Sequence, residues 1–316
     1  MHPYILKDLE IPLGFTTIGP FSIGTYGLMM AIGFLWGWRF SRRSALRRGW
    51  DPEFAYTLVI NAMISGIIGA RLFHVIDHWD YYQHDLAKIF TASSGLTWYG
   101  GLILAIITSY IICLRKGYPF SGGMDMVTPM LASGYAWGRI GCFFAGDGCY
   151  GIAASPPWEF LGIAFPDGLV KAIDPVHPTM LYEALFNFSL FGILFWVDSK
   201  FTVPNRWRYG LLFAIFAFFH SLERFLVEFI RLNDRYWFEG LSIAKYSPAE
   251  YFDGTWGLSF SQWISIGGMA VGLVFFFLLI RGKGAPYPIH TGNAWVDQHP
   301  EPEPAKPVKK RRKKRK

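Results

Sequence analysis

The chain has 316 residues, of which 52% are apolar and 18% aromatic, with a formal net charge of +7 and a positive mean hydropathy. A single soluble core does not need that much apolar surface, so the composition argues against an ordinary soluble domain and for a chain that crosses a membrane several times. The apolar runs are solid blocks of about 20 residues, whereas a transmembrane β-barrel would show alternating segments of about ten.

Inside lipid a helix satisfies its own backbone hydrogen bonds, so the expected fold class is all-α, a polytopic membrane protein with about seven transmembrane helices. In chain order the spans fall at 20–38, 54–77, 97–114, 124–145, 179–197, 208–230 and 259–280. MHPYILKDLEIPLG has no basic stretch leading into a short apolar run with a cleavage site, so no cleavable signal peptide is expected and the first span is retained. The basic segments RFSRRSALRRG, LRKG and KFTVPNRWR and the C-terminal tail all fall on one side of a seven-span chain. Basic loops mark the cytoplasmic face, which places the N-terminus outside and the C-terminus in the cytoplasm. The membrane domain is expected over 1–283, and residues 284–316, ending EPEPAKPVKKRRKKRK, read as a disordered basic cytoplasmic tail. That tail either attracts anionic head groups or only fixes orientation, and no nucleic-acid partner is expected.

Ionisable residues within or at the rims of apolar spans are costly there, so each should face a partner or a water-filled cavity. GARLFHVIDH, residues 69–78, places Arg71, His74 and His78 on one face near an interface, where snorkelling to head groups explains them nearly as well as chemistry. SGLTWYGGLI, residues 94–103, sets Tyr99 before two glycines at the start of a span. GRIGCFFAGDGCYG, residues 138–151, carries Arg139 at depth, then Asp147, Tyr150 and Gly151 in the turn that follows. Arg139 reads as a cavity-facing anion ligand, and Asp147 either orients an arginine or caps a helix. In HPTMLYEALF, residues 177–186, Pro178 suits a first helical turn, and Tyr182 and Glu183 enter the fifth span.

HSLERFLVEFIR, residues 220–231, is the strongest of these segments. At about 100° per residue, His220, Arg224, Glu228 and Arg231 share one stripe. Arg224 and Glu228 could neutralise each other, which leaves Arg231 and Arg139 in excess, and an excess of guanidinium at a membrane face suits a phosphate gripped bidentately. Cys142 and Cys149 either form a disulfide near the external face or act as small packing residues. With Cys113, the three cysteines fit no zinc spacing, and no metal and no cofactor are expected.

The ordered set Y-G-L-M from Tyr26, YGGLI from Tyr99, GRIGCF…GDGCYG, HPTMLYE and ERFLVEFIR resembles the bacterial prolipoprotein diacylglyceryl transferase family, over about residues 18–282. The resemblance implies seven membrane helices in the bacterial inner membrane. It also implies transfer of the diacylglyceryl group of phosphatidylglycerol to the lipobox cysteine of a prolipoprotein signal peptide, with glycerol phosphate released. Arg139 and Arg224 match the family's essential arginines, Tyr26 its first-span tyrosine, Gly151 the glycine ending its signature and Glu228 the acid one turn beyond the second arginine. The sequence departs from the commonest pattern at four positions. Tyr99 stands for a histidine, Cys142 for an asparagine, Asp147 for a glutamate and His220 for a tyrosine. Tyrosine is a poor base at neutral pH, so His220 is a candidate for taking the proton of the attacking thiol, with Tyr99 left to position lipid. The same intramembrane charges would also suit an anion or lipid transporter, or a homologue that binds lipid without catalysis.

Overall fold

The computed structural model describes residues 3–12, 17–86, 88–91, 97–202, 208–231, 235–239, 242–246 and 257–282. Helix dominates them. The long helices are α1 (Thr25–Arg47), α2 (Pro52–Asp77), α5 (Trp98–Lys116), α6 (Phe120–Ala145), α7 (Thr179–Val197), α8 (Leu211–Val227) and α9 (Phe260–Ile280), with single turns α3 (Trp79–Tyr82) and α4 (Lys88–Thr91) between α2 and α5. Four segments, Pro52–Asp77, Tyr99–Lys116, Thr179–Lys200 and Phe260–Ile280, are long and apolar enough to cross a membrane. The tail 284–316 lies outside the described residues.

The helical expectation holds in its main part, with short antiparallel strands added before α1 and in the connections after α6 and α8. β1 (Tyr4–Pro12) pairs antiparallel with β2 (Thr17–Gly24), β3 (Ile163–Phe165) with β4 (Ala172–Val176), and β5 (Arg235–Glu239) with both β6 (Ser242–Tyr246) and β7 (Leu258–Ser259). Segments too short for a helix that buries a face can pair edges instead, and turn residues at their ends make hairpins the local solution. The first span shifts for the same reason: residues 17–24 are strand, and α1 starts at Thr25. At its other end α1 continues through FSRRSALR, read above as a loop, since Arg, Ala and Leu all favour helix.

Local signals set several boundaries. Asp51 caps α2 by accepting the Glu53 N–H at 2.8 Å, with Pro52 at the first helical position. Ser259 and Gln262 close a reciprocal capping box on α9. α8 has no side-chain cap of its own. Fully buried Asp125 of α6 supplies one from a distance, its carboxylate accepting the backbone N–H of Gly210 at 2.8 Å and of Phe213 at 3.0 Å.

α1 runs antiparallel along α6. Gly37 lies against Met130, Gly33 against Trp137 and Tyr26 against Gly141, so the start of α1 meets the end of α6. At the other end of α1, Arg48 donates to Asp198 Oδ1 at 2.7 Å and Oδ2 at 3.3 Å, Ser44 donates to Oδ2 at 2.7 Å, and Arg47 reaches it at 3.2 Å. Arg48 and Asp198 have no exposed side-chain surface.

Candidate active site

The site is organised around Glu183, in the second turn of α7. Its Oε2 accepts the Tyr135 hydroxyl at 2.8 Å and pairs with Nε of Arg139, while its Oε1 meets Nη1 of Arg224 and Nη1 of Arg231, each at 3.3 Å. One carboxylate therefore gathers three guanidiniums from three separate segments. Arg224 extends the network to Glu228 Oε2 at 2.7 Å and to the Ser261 hydroxyl at 3.3 Å. Arg139 donates to the Tyr135 oxygen at 2.6 Å, and its guanidinium lies 4.8 Å from that ring's centre.

Each position has a local cause. Tyr135 and Arg139 are one turn apart on α6, so they share a face, as do Arg224 and Glu228 across the C-terminal end of α8. Arg231 does not continue the α8 stripe, because the helix ends at Val227. A turn carries the chain back, and Arg231 pairs with Gly151 in an isolated antiparallel bridge, with the Ile152 N–H donating to the Ile230 carbonyl at 2.8 Å. Gly151 is needed for that approach: a Cβ there would sit 2.7 Å from the Ile230 oxygen and 2.9 Å from Thr179. The glycine ending the signature thus seats Arg231.

Exposure separates the two signs of charge. Glu183 and Glu228 retain 0% and 1% of their side-chain surface, whereas Arg139, Arg224 and Arg231 retain 16%, 19% and 11%. Three guanidiniums pair directly with two sealed carboxylates, and a third buried carboxylate, Glu223, lies behind them on Asn187. An arriving molecule meets guanidinium, not carboxylate, in surroundings where charges are poorly screened.

A second layer lies behind the arginines. Asn187, one turn after Glu183, donates to the Glu183 carbonyl at 2.9 Å and to Glu223 Oε2 at 3.3 Å, so its own carbonyl oxygen is the atom facing His220 Nδ1 at 3.0 Å. This assigns the proton to Nδ1 and a lone pair to Nε2. The His220 ring stacks on Phe216 and meets the Tyr135 ring edge-on, with centroids 4.6 Å apart in the latter pair.

The remaining expected residues separate into three groups. Tyr26 stands at the start of α1 against Gly141, one half-turn from Arg139 on α6. Asp147 does neither of the things expected of it: its Oδ1 accepts the Cys149 N–H at 3.2 Å and shapes the turn after α6. Tyr182 turns away from the arginines, its hydroxyl 3.1 Å from His177 Nδ1, because it lies about 100° around the helix from Glu183. Tyr99 is 41% exposed with its ring against Phe260, the neighbour of Ser261, which puts it at the rim of the site. Arg71 closes the α2–α5 connection by donating to the carbonyls of Ile89 and Lys88, at 2.9 and 2.8 Å, and His74 stacks on His78, so this group is structural. Tyr135, Asn187, Glu223 and Ser261 were not anticipated. Tyr135 and Asn187 each stand one turn from an expected residue inside an apolar span, and that spacing could have identified them.

The three cysteines are free thiols; of the two readings of Cys142 and Cys149 the disulfide is not formed, and Cys142 packs with Tyr150, Phe165 and Met180. Cys149 lies 3.7 Å from Nη1 of Arg139. The hydrogen bond from Cys142, with the nearby Arg231 and Arg139 charges, outweighs burial and holds the Cys149 thiol below its ordinary range.

Comparison with known proteins places the chain in a family. The model of the prolipoprotein diacylglyceryl transferase family matches residues 13–278. A phosphatidylglycerol–prolipoprotein diacylglyceryl transferase of Nitratidesulfovibrio vulgaris strain DP4 is 32% identical over 222 residues, covering 69% of this chain and 80% of the relative. Proteins of the same name from Thermosynechococcus vestitus and Corynebacterium diphtheriae are 32% and 30% identical, over 80% and 76% of this chain and 94% and 88% of theirs. The match spans α1 to α9 and takes in every residue around Glu183, and on that ground the chain belongs to the prolipoprotein diacylglyceryl transferase family.

Proposed function

We propose that this protein transfers the diacylglyceryl group of phosphatidylglycerol to the thiol of a prolipoprotein lipobox cysteine, forming a thioether and releasing glycerol phosphate. The observation that carries the reading is the sealed Glu183 carboxylate surrounded by three guanidiniums that keep exposed surface. Phosphatidylglycerol brings one phosphodiester negative charge, a group that exposed guanidiniums can grip bidentately. When the glyceryl C–O bond breaks, the leaving phosphate gains charge, and fixed guanidiniums already aimed at it stabilise that change without reorganising. Arg139 and Arg224 are the principal ligands, Arg231 the third, and Glu183 and Glu228 hold them in place. His220, with its lone pair at Nε2, is the group suited to take the thiol proton, and Tyr99 and Tyr26 line the lipid's approach.

The seven long helices serve as seven crossings of the bacterial inner membrane, with the arginine cluster toward the outer face and the Arg48–Asp198 cluster toward the cytoplasm. Lipobox-bearing signal peptides reach the site from the bilayer. The test is the purified protein in detergent with phosphatidylglycerol and a lipobox peptide, analysed by mass. A peptide gaining one diacylglyceryl group supports the reading. Glycerol phosphate released with no modified peptide indicates a lipase, and binding without turnover a carrier. Cysteines placed at positions 80 and 240 should react with an impermeant thiol reagent from outside and one at 203 should not.

A further inference from the structure

The turn that follows α6 brings together three groups that the phosphate site does not use. Cys142 lies on the last turn of α6, which ends at Gly146 with φ of +62°, and Asp147 and Cys149 follow in the turn. The Cys142 thiol faces both Cys149 and Asp147. The two sulfurs and a carboxylate oxygen of Asp147 all lie within 4.8 Å of one another, with Cys142 buried and the other two half-buried. Phe165, Tyr150 and Met180 pack behind Cys142.

We propose that Cys142, Asp147 and Cys149 bind a zinc ion with three protein ligands and one open position beside Arg139. Tetrahedral zinc with bonds of about 2.3 Å to sulfur and about 2.1 Å to oxygen separates its ligand atoms by roughly 3.5–3.8 Å. That asks for a contraction of at most about 1.3 Å from the observed cluster, whose ligand atoms lie within 4.8 Å of one another. A disulfide would instead pull the sulfurs to about 2.05 Å, against a turn pinned by the Gly151 N–H on the His177 carbonyl and the Thr179 hydroxyl on the Cys149 carbonyl, at 2.9 and 2.8 Å. Two thiolates select zinc over magnesium or calcium, and a site with three protein ligands keeps a position for a reacting group. The nearby cations do not forbid a dication. Two thiolates and a carboxylate carry three negative charges against the two positive charges of zinc, and the Arg139 N–H 3.7 Å from Cys149 Sγ is an outer-sphere contact to the remaining one.

The site deepens the transferase reading and rests on it for its role. A lipobox thiol entering the open position would pass its proton to the lone pair at His220 Nε2 and remain a thiolate on coordination, so no phenolate is required at Tyr99. The sulfur then attacks the glyceryl carbon, the C–O bond to phosphate breaks, and glycerol phosphate leaves onto Arg139, Arg224 and Arg231. The sulfur has formed the thioether, the bonding pair has gone to the phosphate oxygen, and no oxidant or reductant takes part.

The experiment measures zinc in the full-length protein by elemental mass spectrometry after loading at micromolar zinc and desalting, with no lipid or peptide present. About one zinc per chain is expected in wild type and in Cys113→Ser, whose thiol lies elsewhere, and at least tenfold less in Cys142→Ser, Asp147→Asn and Cys149→Ser. Cobalt substitution should give a thiolate-to-metal charge-transfer band in the wild type. Absence of retained zinc in the folded wild-type protein overturns the proposal, and so does equal retention by the cysteine variants. A protein two hydrogens lighter that reductant restores also overturns it, in favour of a disulfide. Full transfer by zinc-free protein removes the zinc and leaves the transferase standing, whereas zinc bound at Cys142 and Cys149 with no transfer under any condition removes the transferase and leaves the site.

Discussion

Two arginine–carboxylate clusters lie at opposite ends of α1, and they are built to opposite specifications. In the Arg48–Asp198 cluster cation and anion are both sealed, with no exposed side-chain surface on either. The hydroxyl of Ser44 completes the carboxylate's coordination and only Arg47 reaches solvent, with 26% of its side chain exposed. In the Glu183 cluster the carboxylates are sealed and the guanidiniums are not. A buried pair whose members satisfy each other has nothing left to offer a ligand, while a cluster with exposed cations keeps its strongest donors for an incoming anion. The first ties α1 to the end of α7, and the second is the proposed phosphate site.

The largest expected effect breaks the sealed cluster. Asp198→Ala leaves Arg48 buried without its carboxylate and should cost about 3–5 kcal/mol of stability. Thermal unfolding in detergent should shift markedly, while the molecules that remain folded transfer lipid at the normal rate. Loss of transfer without loss of stability would mean that the cluster reaches the chemistry.

Next comes the open cluster, where the pattern should invert. Arg139→Ala and Arg224→Ala should each lower transfer by about 10²–10³-fold, the usual cost of one charge-stabilising donor. Stability should change less than transfer, because Glu183 keeps two of its three guanidinium partners. Arg→Lys should rescue poorly, since an ammonium cannot reproduce the planar two-pronged grip. Near-normal transfer in both alanine variants would reduce this cluster to a second structural pair.

Gly151→Ala tests how the third arginine is seated. The added methyl meets the Ile230 carbonyl and Thr179, so the bridge that positions Arg231 should shift at a cost of about 1–3 kcal/mol. The expected result is weaker binding of lipid, a raised KM more than a lowered kcat. An unaltered KM would separate Gly151 from the site.

The smallest effect is expected at the rim. Tyr99→Phe removes one hydroxyl worth about 0.5–1.5 kcal/mol, so transfer should fall by about tenfold or less and its pH profile should keep its shape. His220→Phe should give the larger defect and change the shape of the pH profile, which Tyr99→Phe should leave intact. A severe Tyr99→Phe defect beside a near-normal His220→Phe protein would return the proton transfer to Tyr99.

The sequence by itself determined the helices, the family and which ionisable residues are costly where they stand. Apolar runs, Asp51–Pro52 before α2, the Ser259–Gln262 box and the surplus of arginine at depth are all local patterns, and local patterns are what period, capping and insertion cost report. Arg139, Arg224, Glu228, Arg231 and Glu183 could be found that way because each is costly in an apolar run. The tertiary structure decided which of them meet. Glu183 is the centre of the site only because α6, α8 and the turn after α8 converge on α7, and no spacing along the chain contains that fact. Tyr182 and Glu183 are neighbours in sequence, yet the helix sends one to His177 and the other to three arginines. The cap of α8 comes from Asp125, more than eighty residues earlier, and the place of Arg231 comes from a backbone bridge to Gly151. Such partners are chosen by close packing across helices, where a buried charge accepts whichever opposite group the fold delivers, and sequence order does not record that choice.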